Sequence, residues 1–299
     1  MDNRVSFLTA LNNYDAQLVK LSPLLKKAFT KGIFDKTMTC LAGSGFRAHI
    51  LHGDGLEMIG LLSDESKKFD ISSLMGKNSV HHLPSLHSEL ADNKCWSQEM
   101  YPKILVVTQK GTGEGEVMLS LIFKDVKNVK DQDINASGIH VEAKVKAANI
   151  KAHGCEHNAI RTTNDAAEAC GWVKGNKPIM GLFEEEDLSI IKKYLEWVYF
   201  RWDEDRLERV AAKILELDKR QGSQYLGMEI LCDYRECDGF ELYIHIEPKT
   251  GKIVVIGDFD DKEFISDHLR FSVPLRGNST QALADGYASV NVKKGGLGL

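Results

Sequence analysis

The chain has 299 residues, enough for one substantial core or two modest ones, and is 43% hydrophobic and 27% charged, the composition of an ordinary folded protein. No apolar run approaches the ~18 residues of a membrane helix, and the six cysteines are too sparse for a disulfide scaffold and include no CxxC pair for a zinc ribbon. A net charge of -5 argues against a surface coated with phosphate-binding residues. The N-terminal residues lack a signal-peptide pattern, so a cytoplasmic setting is expected.

Residues 1–40 carry apolar positions at helical spacing (Phe7, Leu8, Leu11, Leu18, Leu21, Leu25), and Gly43, Ser44 and Gly45 close that stretch. Residues 46–61 hold short apolar groups that suit strands, with Gly53, Asp54 and Gly55 as a turn. Residues 62–100 are polar and weakly patterned, with His81, His82 and His87 as expected surface residues. Residues 1–100 thus form a mainly helical N-terminal region with an irregular linker.

From residue 101 the pattern sharpens. Residues 104–107 (ILVV) suit a short buried strand, and residues 117–123 (VMLSLIF) are apolar nearly all round, as in a buried helix. Residues 139–145 alternate, with Ile139, Val141, Ala143 and Val145 on one face and His140, Glu142 and Lys144 on the other. Residues 184–220 predict two helices, the second capped by Asp203 and ended by Gly222. Strands are expected at 228–232, 240–246 and 253–256, the last two joined by a turn over residues 248–251. Residues 101–275 are read as one core, and residues 276–299, rich in small side chains, as a mobile tail.

The chemistry concentrates between residues 113 and 144. Period two puts Glu142 and Lys144 on the same strand face, a carboxylate for a hard cation beside an ammonium for a water or a phosphate oxygen. Asp133 lies nine positions earlier, and residues 135–138 (NASG) make a turn, so the hairpin brings Asp133 toward Glu142. Oxygen-only ligation suits Mg2+ (or Mn2+). Glu116 opens the preceding helix as a further metal ligand or as a partner to Lys144 or a water. Between residues 124 and 151 six lysines face four acids, a local basic excess around the site.

Other clusters read as packing or surface. Gly111, Gly113 and Gly115 are followed by Glu116 rather than by a phosphate-loop pattern. His153, Cys155 and His157 are three closely spaced potential ligands without an evident fourth. Glu247, Pro248 and Lys249 repeat the Glu-x-Lys spacing at a turn. Trp197, Tyr199, Phe200 and Trp202 suit core packing before base stacking.

The order Glu116, apolar helix, Asp133 and then Glu142-Ala143-Lys144 on a strand resembles the PD-(D/E)xK nucleases. The fuller pattern, GEGEVMLSL from residue 113, Asp133-Ile134 and GIHVEAK from residue 138, is similar to nuclease-like proteins of tailed phages. Asp131 and Gln132 stand where that group carries Gly-Asp before the aspartate, so Asp131 is an alternative ligand. The resemblance covers about 45 residues of the 299. It implies an α/β (or α+β) fold with a restriction-endonuclease-like mixed sheet and Mg2+-dependent hydrolysis of DNA. Asp133 and Glu142 would bind the metal, Lys144 would position water and Glu116 would assist. It equally implies a host-cytoplasmic or virion location. The alternative is a phage head- or tail-associated structural or assembly protein, partnered by other phage proteins, whose site is idle.

Overall fold

The computed structural model describes residues 54–107, 115–127, 134–151, 165–175, 177–273 and 287–293, with isolated helical positions at Ala16, Val19, Asp35, Thr37, Met38 and Thr39. The chain is mixed α/β and divides into two units, residues 1–146 with 240–258 and residues 147–239 with 259–299. The core expected to run unbroken over residues 101–275 is therefore split, because the chain leaves the first unit after one central strand and returns to it at residue 240.

In the first unit, helix α1 (Asp54–Ser63) stands where a turn and strand were expected from residue 54 to 61, and buries Met58, Ile59 and Leu62, while the part of that expectation over residues 46–53 lies outside the described residues. Residues 62–100 are not a linker. They supply short 3-10 turns, strand β1 (Ser79–His82) and a π-helical turn (Cys95–Met100). They also bury Leu83, Leu90, Trp96 and His87. Helix α2 (Tyr101–Leu105) takes the place of the expected strand at 104–107. Pro102 in its first turn presets the helical backbone, and Ile104 and Leu105 are still buried. Helix α3 (Glu116–Ile122) is buried along its whole length, as its apolar circumference predicts.

Strands β2 (Val126–Lys127), β3 (Ile134–Ala136) and β4 (Ile139–Val145) follow, and β8 (Leu242–Glu247) and β9 (Lys252–Ile256) complete a six-stranded sheet. Its order is β1-β9-β8-β4-β3-β2. Only the central pair, β4 with β8, is parallel; the other pairings are antiparallel. One face of the sheet carries Val141, Ala143, Val145, Leu242, Ile244, Ile246, Ile253 and Val255, which join the helices in a single apolar core. The other face carries Glu142, Lys144, Tyr243, His245 and Val254, as the pleat requires.

The second unit holds β5 (Ala148–Lys151), the short pair β6 (Val173–Lys174) and β7 (Lys177–Pro178), α4 (Leu188–Val198), α5 (Glu204–Glu216) and α6 (Lys219–Asp238). Helix α7 (Lys262–His268), β10 (Leu269–Ser272) and β11 (Tyr287–Val292) complete it. Asp187, Asp203 and Asp218 cap the three long helices by accepting from backbone N–H groups of their first turns. The expected strand at 228–232 lies inside α6, and Gly222 does not end a helix. Gly222 and Gly227 are contact points instead, where an added Cβ would meet Phe183 Cδ1 at 2.7 Å and Phe271 Cβ at 2.3 Å. The expected tail is corrected at Tyr287–Val292, which forms the middle strand of the sheet β10-β11-β5. Among the described residues no helix is long and apolar enough to cross a membrane.

Candidate active site on the central parallel strands

The β3–β4 hairpin turns more tightly than the expected loop over residues 135–138, because Asn135 and Ala136 belong to β3. Ser137 and Gly138 both take positive φ, 53° and 87°, between the paired Ala136 and Ile139. Two central residues of this hand match the twist of the flanking strands. The register then pairs Asn135 with His140 and Ile134 with Val141. Asp133 and the alternative Asp131 lie outside the described residues. Asp133 is nonetheless the chain neighbour of Ile134, as Glu142 is of Val141.

Glu142 is 4% exposed, and its Oε1 forms an ion pair with Nζ of Lys144, which remains partly open to solvent. A carboxylate so buried requires a compensating charge or cation, since an unpaired one would cost several kcal/mol in desolvation. The structure thus brings Glu142 and Lys144 together as their spacing predicts.

Glu116 is the first residue of α3 and is buried. Gly115 before it has φ +90°, and its N–H donates to the Leu105 carbonyl at 2.9 Å. A Cβ there would meet Val145 Cγ2 at 2.7 Å and Ile246 Cδ1 at 3.2 Å. The start of α3 is therefore seated against the C-terminal ends of β4 and β8. Helix α3 packs with the apolar core, whereas Glu142 and Lys144 project from the opposite face. Glu116 thus stands by the strand end on the helix side of the sheet.

Two side chains escaped the sequence reading. Parallel pairing sets Tyr243 beside Glu142 and His245 beside Lys144. Both are fully buried. His245 Nε2 lies 2.6 Å from the Lys146 carbonyl and must donate to it, so Nδ1 accepts from Tyr243 Oη at 2.8 Å. Burial holds the imidazole down to about 4, with the Lys144 charge acting in the same direction and the Lys146 hydrogen bond opposing both. Burial also keeps the Tyr243 phenol protonated well above its usual range. The neutral pair braces Lys146, which follows β4 in a left-handed conformation at φ 63° with its N–H donating to the Ile246 carbonyl. The signal was the alternation Tyr-x-His inside residues 242–247, legible as a strand but not as a polar brace.

The secondary clusters resolve unevenly. Glu247 ends β8 and accepts from the Lys249 backbone N–H, a turn contact as expected. Tyr199 and Trp202 are buried and stacked 4.3 Å apart, whereas Trp197 and Phe200 are exposed. His87 is buried rather than a surface residue. His153, Cys155 and His157 lie outside the described residues. Among the described residues no group of three or more His, Cys, Asp or Glu is arranged to hold a metal ion. No protein-family model, curated protein or solved structure matches the chain.

Proposed function

We propose that this protein is a metal-dependent nuclease that hydrolyses DNA phosphodiester bonds, on a sheet of the restriction-endonuclease-like kind. The observation that carries the reading is the hairpin register, in which the chain neighbours of Asp133 and Glu142 are direct cross-strand partners. Lys144 supports it by pairing with the Glu142 carboxylate from the same strand face.

The donor set fits a hard divalent cation. Glu142 presents carboxylate oxygens in a buried setting where a cation is stabilising, and Asp133 adds a second carboxylate. Glu142 and Asp133 would hold Mg2+ or Mn2+, which when bound lowers the pKa of a coordinated water and stabilises charge on a phosphate. The Lys144 ammonium donates hydrogen bonds to the attacking water or to a phosphate oxygen and balances the carboxylates. Tyr243 and His245, held neutral, add no competing charge beneath Lys144. Glu116 acts from the strand end as a further ligand or as an acceptor for ordered water.

The test is cleavage of linear and supercoiled DNA with Mg2+ or Mn2+ by the wild type, Glu142→Ala and Lys144→Ala. Metal-dependent cutting abolished in both variants establishes the reading. A folded wild type that cuts neither substrate overturns it, and purification with phage particles would then support the structural role.

A further inference from the structure

We propose that Cys232 and Lys262 form a redox-controlled covalent cross-link, a single oxygen atom bridging Sγ and Nζ and stapling α6 to α7. The inference is independent of the nuclease reading, because both residues belong to the second unit.

The geometry is the first support. Lys262 Nζ lies 2.6 Å from Cys232 Sγ. An N–H···O bond between smaller atoms spans about 2.7–3.2 Å, so an N–H···S contact should be longer still. The Lys262 charge also acts on the Glu229 carboxylate, but the Cys232 sulfur itself offers it no opposite charge. Burial raises the Cys232 thiol and outweighs the opposing effect of Lys262, so the sulfur is held neutral. One bridging oxygen spans such a separation without either side chain having to move.

Placement is the second support. Cys232 sits in the body of the 20-residue helix α6, and Lys262 is the first residue of α7. The Asp261 cap fixes that position by accepting from the Phe264 N–H at 3.0 Å. The two residues are 30 positions apart, so the bond would close a loop that contains β8 and β9. Both are half-buried. Exposed Cys237, on the same helix, provides an internal comparison.

The chemistry balances with hydrogen peroxide as oxidant. One peroxide oxidises the thiol to a sulfenic acid and leaves as water. The Lys262 ammonium loses a proton to solvent. A second peroxide then removes two electrons and two protons as the S–O–H and N–H bonds break and the O–N bond forms. Thiol, amine and two peroxides become the S–O–N bridge and three waters. Excess thiol reverses the bridge in two two-electron steps, one breaking the S–O bond and one the O–N bond, so that four thiols become two disulfides and return the cysteine, the amine and one water.

The experiment is peroxide treatment of the folded full chain, followed by intact-mass measurement and tryptic mapping with and without dithiothreitol. The expected product links the Cys232 and Lys262 peptides, carries a gain of about 14 Da (one oxygen added, two hydrogens lost) and resists trypsin after Lys262. Dithiothreitol should restore both peptides, and Cys232→Ser and Lys262→Arg should each abolish the product. Oxidation of Cys232 to unlinked sulfur acids, or a reduced Cys232 with normal cleavage after Lys262, overturns the proposal. The wild-type map alone decides the matter if either variant folds poorly.

Discussion

Replacing Gly115 with alanine tests how the start of α3 is seated. Two effects should add. The first is the backbone: φ is +90°, where an L side chain costs about 1–2 kcal/mol. The second is space, since the new methyl would lie 2.7 Å from Val145 Cγ2 and 3.2 Å from Ile246 Cδ1, and overpacking of this kind costs about 1–3 kcal/mol. The expected loss is roughly 2–5 kcal/mol, a large share of the ~5–15 kcal/mol of a typical domain. Gly138→Ala separates the two effects. Its φ is +87° but nothing lies within 4 Å of the added Cβ, so only the backbone effect of about 1–2 kcal/mol applies. Urea unfolding of both variants and the wild type measures the difference. Adding Val145→Ala to Gly115→Ala should recover part of the steric loss, appearing as favourable coupling in a double-mutant cycle. Equal losses at Gly115 and Gly138, with no coupling to Val145, would refute the seating of α3 on the ends of β4 and β8, and with it the placement of Glu116.

Two further predictions concern buried titratable groups, and a third concerns packing. His245 should remain neutral down to about pH 4, with the proton on Nε2, as imidazole NMR shifts would show. Its folded value lies below its ordinary 6.5, so the unfolded state binds the extra proton and stability should fall as pH drops from 6.5 to about 4, by roughly 3 kcal/mol in all; urea midpoints across that window should show the slope, and His245→Gln should flatten it. In the second unit, Glu229 is 3% exposed and accepts both Arg209 guanidinium nitrogens, at 2.9 and 3.0 Å. Burial alone would raise its carboxyl, but the Arg209 hydrogen bonds and the charges of Lys262, Arg209 and Arg206 together hold it below 4.5. The stabilisation is therefore present above pH 4.5 and lost as pH falls through the lower folded value, an acid limb that Glu229→Gln should flatten. At neutral pH that variant should lose roughly 2–3 kcal/mol in urea unfolding, less than the about 3–5 kcal/mol of a fully buried pair, because Arg209 is more than half exposed. Finally, Gly227→Ala should destabilise the second unit by at least about 1–3 kcal/mol, because its Cβ would overlap Phe271 Cβ at 2.3 Å; a thermal midpoint equal to the wild type would contradict the packing of α6 on β10.

Where local pattern and tertiary demand agree, the sequence alone was enough. Residues 139–145 alternate so cleanly that only a strand keeps Val141, Ala143 and Val145 on one side, and that strand places Glu142 beside Lys144. A turn before residue 139 was legible in Gly138, but its length was not: Asn135 and Ala136 belong to β3 and pair with His140 and Ile139. The apolar circumference of residues 117–122 and the Asp203 cap were equally local signals. Short apolar runs were different: four or five residues such as 104–107 or 228–232 satisfy a strand or a helix alike, and their neighbours decide. At 228–232 the deciding contact is Gly227 against Phe271, more than 40 residues away. The tail strand Tyr287–Val292 exists because β10 and β5 offer it partners on both edges, which no composition of small residues announces. Tyr243 and His245 mark the same limit most sharply. Their burial and their neutrality arise from parallel pairing with β4 across about a hundred residues of intervening chain, and only the folded sheet sets that pairing.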